Sequence, residues 1–179
     1  MLRQAIQSSR SKIDVFADFA SDYLRLRMDY AVIQKPKLAF DDSSKKAENI
    51  QLVLTYVLNR QTKERQLQEC AQNLVNAFND VIMTFCEGLR DEHLIDYDSE
   101  IFTNLLNIFA KFNRMANADV FKGILYIEDV NKPVLSEISN KLSTYTDNEL
   151  LVQLKEQIDA LSHLERVENS ITENENMMQ

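Results

Sequence analysis

The apolar positions of this chain recur at three-, four- and seven-residue intervals over most of its length, the spacing of one face of an α-helix. Leu2, Ile6, Ile13, Phe16, Ala20, Tyr23 and Leu24 set the first stripe and predict a helix over 2–33. Leu26, Met28 and Tyr30 widen its apolar surface near the end. Pro36 closes the element, because a proline disfavours helix at the residue before it. Asp41-Asp42-Ser43-Ser44 then reads as a helix start, with capping oxygens and negative charge beside a positive dipole end.

The second helix carries Ile50, Val53, Leu54, Val57 and Leu58. The polar run 59–66 either divides it or lies on a solvated face. No Gly or Pro interrupts it, so an unbroken helix from about 44 to 90, ~70 Å long, is allowed. The cleanest period follows. Leu67, Cys70, Ala71, Leu74, Phe78, Val81 and Phe85 fall within a narrow arc, and Val75 and Ile82 extend it. Such spacing suits near-antiparallel helix packing or a coiled-coil seam. Gly88 is the expected stop.

Residues 91–100 read as an acidic loop, with Asp98 or Ser99 capping a helix whose stripe is Phe102, Leu105, Leu106, Phe109, Phe112 and Met115. Asn113–Asn117 is expected to loosen its end. Ile124-Leu125-Tyr126-Ile127 is the one strand-like run; with no partner strand it is assigned to a short helix or buried connector. Pro133 suits the first turn of another helix, which carries Val134, Leu135, Ile138 and Leu142. Thr146 and Glu149 have the spacing of a capping box before a last helix with Leu150, Leu151, Leu154, Ile158, Leu161, Leu164 and Val167. The pattern thus predicts an all-α fold, a bundle of about five to seven amphipathic helices, some long and coiled-coil-like. One domain spans 1–168, and a polar acidic tail over 169–179 is expected to be disordered.

Composition agrees with helices joined by short polar loops. The 179 residues include only two Gly, two Pro and no Trp, too few of the turn-forming residues for a β-sandwich or a doubly wound sheet. Net charge is −8 and uneven: residues 1–37 carry +3, 38–146 carry −5 and 147–179 carry −6. The acidic whole disfavours nucleic acid, whose phosphates need Lys and Arg. Arg25 and Arg27 sit about 200° apart on a helix and make no compact basic face with Tyr23 and Tyr30. Met1–Lys12 is free of acid, as a mitochondrial presequence would be, but Asp14, Asp18 and Asp22 follow in the same apolar period and favour a plain first helix. No apolar run approaches the ~20 residues of a membrane span. Cys70 and Cys86 lie sixteen residues apart in one predicted helix, too far for a disulfide. Free thiols fit a reducing, cytoplasmic setting.

The chemistry that residue types advertise is sparse. Gly88 and Gly123 are too far apart to form a phosphate-cradling loop. Cys70, Cys86, His93 and His163 lack the paired spacing of zinc ligands. Arg90 and Ala160 stand three before the histidines, where a di-iron bundle needs Glu. Asp96, Asp98 and Glu100 alternate as in a calcium loop, but Ile101 occupies the position that needs Gly and Asn107 the one that needs Glu. Nothing beside either histidine marks a nucleophile–base pair. The reading is therefore of no catalytic residue, no cofactor, no metal and no evident small-molecule substrate.

Long amphipathic helices without catalytic residues predict a non-enzymatic protein-interaction module: adaptor, scaffold, assembly factor or inhibitor. Its partner is another protein or a second copy of the chain. The expected partner-binding residues are Leu67, Leu74, Phe78, Val81 and Phe85 on one stripe and Leu154, Ile158 and Leu161 on the last helix. Two alternatives belong to other classes. One is a membrane-surface or curvature-sensing scaffold using the basic N-terminal segment, which the net acidity opposes. The other is an enzyme whose site the sequence does not advertise.

Overall fold

A computed structural model describes residues 1–40, 43–91 and 93–167. Among these are five α-helices and no strand: α1 (Leu2–Ala31), α2 (Lys46–Gly88), α3 (Ser99–Asn117), α4 (Lys132–Leu142) and α5 (Glu149–Ser162). Single 3-10 turns, Ser43–Lys45 and Leu94–Asp96, precede α2 and α3. The protein is all-α, with five helices at the lower end of the expected range.

The frame is an antiparallel pair, α1 against α2. Ala5 lies against Gly88, Lys12 reaches Asp80 and Thr84, Cys70 donates to the Phe19 carbonyl, and Tyr30 donates to Glu64. α3 and α4 each pack on α5, closing the other side. Phe16, Phe78 and Phe112 meet with ring centroids 5.8 Å apart in each pair and join α1, α2 and α3 at the centre. Phe85 on Phe109 repeats the α2–α3 contact further along.

The polar run 59–66 does not divide α2, which is one helix of 43 residues. It fastens the last turn of α1. The Arg60 guanidinium lies 5.2 Å over the Tyr30 ring, Tyr30 donates to Glu64 at 2.6 Å, and Lys63 pairs with Asp29 at 3.8 Å. Without Gly or Pro there, nothing breaks the backbone ladder.

Several local expectations need correction. α2 does end at Gly88, as expected, but not by a left-handed turn, since Gly88 is helical and the following Leu89 keeps right-handed angles. The small size of Gly88 serves packing instead, since a Cβ there would fall 2.6 Å from the Ala5 Cβ. Gly123 is the glycine whose backbone needs the left-handed region, at φ 80°. The cap of α5 is Asn148, whose side chain accepts from the Leu151 amide; Thr146 and Glu149 form no capping box. α5 ends at Ser162, so Leu164 and Val167 lie in an extended segment, where the Val167 amide donates to the Gly123 carbonyl. Asn113 does not loosen α3; it is buried and its amide donates to the Gln157 backbone and side chain, tying α3 to α5. Asp41 and Asp42 and the predicted tail 169–179 lie outside the described residues.

Residues 118–131 form a connector without helix or strand, in which Ile124, Leu125 and Ile127 are buried, as expected of that run. Asn79 of α2 holds it. The Asn79 amide donates to the Val75 and Tyr126 carbonyls, and its oxygen accepts from the Glu128 amide and the Asn131 side chain. All the bonding capacity of this buried side chain is used.

Candidate interaction surface

The eight residues expected to bind a partner are in the core. Leu67, Leu74, Phe78, Val81, Phe85, Leu154, Ile158 and Leu161 are each 0% exposed. α1 and α3 close over the α2 stripe, and α3 and α4 close over α5. A helix stripe serves core and interface equally well, and here the chain itself supplies the covering helices. In this fold none of the eight is available to a partner.

A row of accessible apolar side chains lies elsewhere on α2. α1 has 30 residues and α2 has 43. Because α1 ends where the Tyr30–Glu64 and Asp29–Lys63 contacts are made, residues 46–59 of α2 run on for ~20 Å with no other α-helix of the described residues beside them. Ile50, Leu54 and Leu58 are 55%, 53% and 60% exposed, and Val53 and Val57 are also exposed. At 100° per residue these five fall on one arc, centred about 120° round the helix from the 67–85 stripe. The connection after α1 runs along a different face: Ala39 exchanges two hydrogen bonds with the Asn49 side chain, at 3.2 and 3.1 Å. Asn49 and Tyr56 are half-buried under it, while the five aliphatics stay open.

Continuity with the packed half of α2 explains why this segment is helical. An isolated helix of such length is marginal in water because nucleation is costly. Here the turns propagate from a nucleus already fixed by packing. The pairs Lys45–Glu48 (3.2 Å) and Arg60–Glu64 (3.7 Å) add a few tenths of a kcal/mol each at exposed sites, ~0.3 kcal/mol.

A contiguous aliphatic stripe on a helix with no neighbour departs from the usual monomer surface, where exposed apolar residues are scattered singly. The signal for it was in the sequence. Two apolar arcs on one helix, offset by a third of a turn and joined by polar residues without Gly or Pro, cannot both face the same neighbour.

The ionisable groups are arranged for structure. Tyr97 donates to Asp91 at 2.6 Å and the His93 amide donates to its other oxygen at 3.1 Å. These bonds, the Tyr97 hydroxyl first, hold the Asp91 carboxyl down at about 2. Lys141 of α4 donates to the Leu89 and Asp91 carbonyls at the end of α2, a cation placed on a helix C-terminus. Ser139 donates to Asp159 at 2.5 Å and Lys155 to the same carboxylate at 2.8 Å. Among the described residues the His163 ring meets the Asp159 backbone carbonyl and not its carboxylate, so serine and histidine are not joined through that carboxylate. Burial tends to raise the Asp159 carboxyl, but the Lys155 and Ser139 bonds outweigh it and the net direction is down. Cys70 and Cys86 are free thiols; burial pushes Cys70 up and Cys86 up to about 12, so neither offers a ready thiolate at neutral pH.

Among the described residues no group of three or more His, Cys, Asp or Glu side chains could hold a metal ion. The segment with Asp96, Asp98 and Glu100 forms a 3-10 turn and the start of α3, and His93 Nδ1 lies 3.7 Å from Asp96 with both exposed. A shallow cavity of about 390 Å³ lies between α1 and α2, lined by Phe19, Leu26 and Cys70 within a rim of charged side chains. Among the described residues no helix is long and apolar enough to cross a membrane. No known protein family, curated protein or solved structure matches this chain.

Proposed function

We propose that this protein is a non-enzymatic interaction module that engages a protein partner through the projecting half of α2. The observation that supports the reading is the open stripe of Ile50, Val53, Leu54, Val57 and Leu58 on a helix that outruns its neighbour. Five aliphatic side chains at i, i+3, i+4, i+7 and i+8 are the pattern by which one helix docks against another. The rest of the chain serves as a platform: α1 and the polar clamp at Tyr30, Arg60 and Glu64 hold the projecting half at a fixed direction. Two free thiols suit a reducing cytoplasm.

The reading is tested with two baits, the full chain and a Leu54→Glu, Leu58→Glu variant. Both side chains are exposed, so the variant is expected to keep the helical circular dichroism and the melting temperature of the parent. Partners retained by the parent and lost from the variant would support the reading. An identical set of retained proteins on both baits would reject it.

A further inference from the structure

The charges around the open stripe select among partners. Residues 43–66 carry Lys45, Lys46, Arg60, Lys63 and Arg65 against Glu48 and Glu64, a net +3 on a chain of −8. Two of these cations stand on the arc of the stripe itself. Lys46 lies one turn before Ile50, and Arg65 lies two turns beyond Leu58. Both are exposed, and neither has an ion-pair partner among the described residues. Among the described residues the stripe therefore ends in an exposed positive charge on each side.

That arrangement disfavours a second copy in two of the registers that would pair the stripes. In the antiparallel register that sets Leu54 against Val57 and Val53 against Leu58 of the second copy, Lys46 meets Arg65. In a parallel pair in register, Lys46 meets Lys46 and Arg65 meets Arg65. Like charges brought together at a contact cost affinity and steer copies apart. It also separates the stripe from a lipid-binding helix, because the remainder of the molecule is strongly acidic and an anionic bilayer would repel it.

We infer that the occupant of the stripe is an acidic amphipathic helix of another protein: aliphatic residues at three- and four-residue spacing, flanked by Asp or Glu that meet Lys46 and Arg65. This rests on the interaction reading above and names the class of partner for the same surface.

The test uses the full chain and two fluorescent synthetic helices of about three heptads, identical in their leucine stripe, one flanked by Glu and one by Lys. Anisotropy at low salt is expected to show the Glu peptide binding about tenfold tighter, with the gap closing near 0.5 M salt. Lys46→Glu with Arg65→Glu is expected to invert the preference, and Leu54→Glu with Leu58→Glu to lose both peptides. Circular dichroism verifies that each variant is folded. Equal binding of both peptides, lost in the leucine variant, would overturn the acidic class while leaving the surface standing. Binding of neither peptide would overturn the inference. If phosphatidylserine vesicles then pellet the chain through Leu54 and Leu58, the occupant is a bilayer. A dimer by light scattering that the leucine variant dissolves would make it a second copy. Peptide binding that survives loss of both leucines would overturn the interaction reading as well.

Discussion

Gly88 decides how closely the two longest helices approach. Its missing side chain admits Ala5, whose Cβ would sit 2.6 Å from an added methyl, and the Leu2 backbone follows at 3.3 Å. Neither is the far end of a flexible chain, so α1 must move to make room. Alanine is the better helix former by about 1 kcal/mol. We expect Gly88→Ala to be destabilising nonetheless, by about 1–3 kcal/mol, the range for an overpacked core. Urea unfolding measures it, and a stabilised variant would show that the helices have freedom to separate. Asp91 gives a pH-dependent counterpart. Its folded carboxyl sits at about 2 against an ordinary 3.8, held by Tyr97 and the His93 amide. A depressed carboxyl stabilises the fold above the unfolded value and loses that contribution as pH falls toward the folded one. Asp91→Asn should melt below the parent at pH 7, and the gap should narrow between about pH 4 and pH 2. A gap independent of pH would assign the effect to shape rather than charge.

At the level of elements, α2 is one helix with two environments. Its second half is enclosed: Leu67, Leu74, Phe78, Val81 and Phe85 touch no solvent. Its first half is open. The same chemical change should therefore have consequences of very different size along one helix. Leu74→Ala removes a fully buried side chain and should cost about 2–5 kcal/mol. Leu58→Ala, on a side chain 60% exposed, should stay within about 0.5 kcal/mol in chemical denaturation. A large loss from Leu58→Ala would mean that the stripe is already covered. The helices themselves were legible because 3.6-residue periodicity persists through α1, α2, α3 and α5. The ends were less so. Asn148 took the cap assigned to Thr146, and α5 stopped at Ser162, because a cap depends on which side-chain oxygen reaches an end amide. Sequence spacing narrows that choice to a few neighbours without fixing it.

At the scale of the molecule, helix lengths explain the surface. An antiparallel pair of 30 and 43 residues, joined by the long connection 32–45 that runs back along α2, leaves the joined end of α2 unmatched. α3, α4 and α5 gather at the other end and cover the α1–α2 pair around the three phenylalanines. This is why the residues expected from periodicity to bind a partner lie in the core. The strongest stripes, 67–85 and 154–161, are the ones a core needs, and the chain holds enough further helices to bury both. The weaker stripe at 50–58 was visible as apolar spacing. Its exposure depends on α1 ending near Ala31, and on where the connection lies, which are properties of the assembled fold.

Residues 46–59 form an open helix on a packed body, which we propose is where a partner docks. Hydrogen–deuterium exchange on the full chain, free and with the Glu-flanked peptide, tests it most directly. Backbone amides without tertiary cover open at low free-energy cost, and those of a core helix open only near global unfolding. Fast exchange over 46–59 and slow exchange over 67–85 are expected in the free protein, with the peptide slowing the first segment and leaving the second unchanged. Equal protection of both segments in the free chain, or protection gained only outside 46–59, would contradict it.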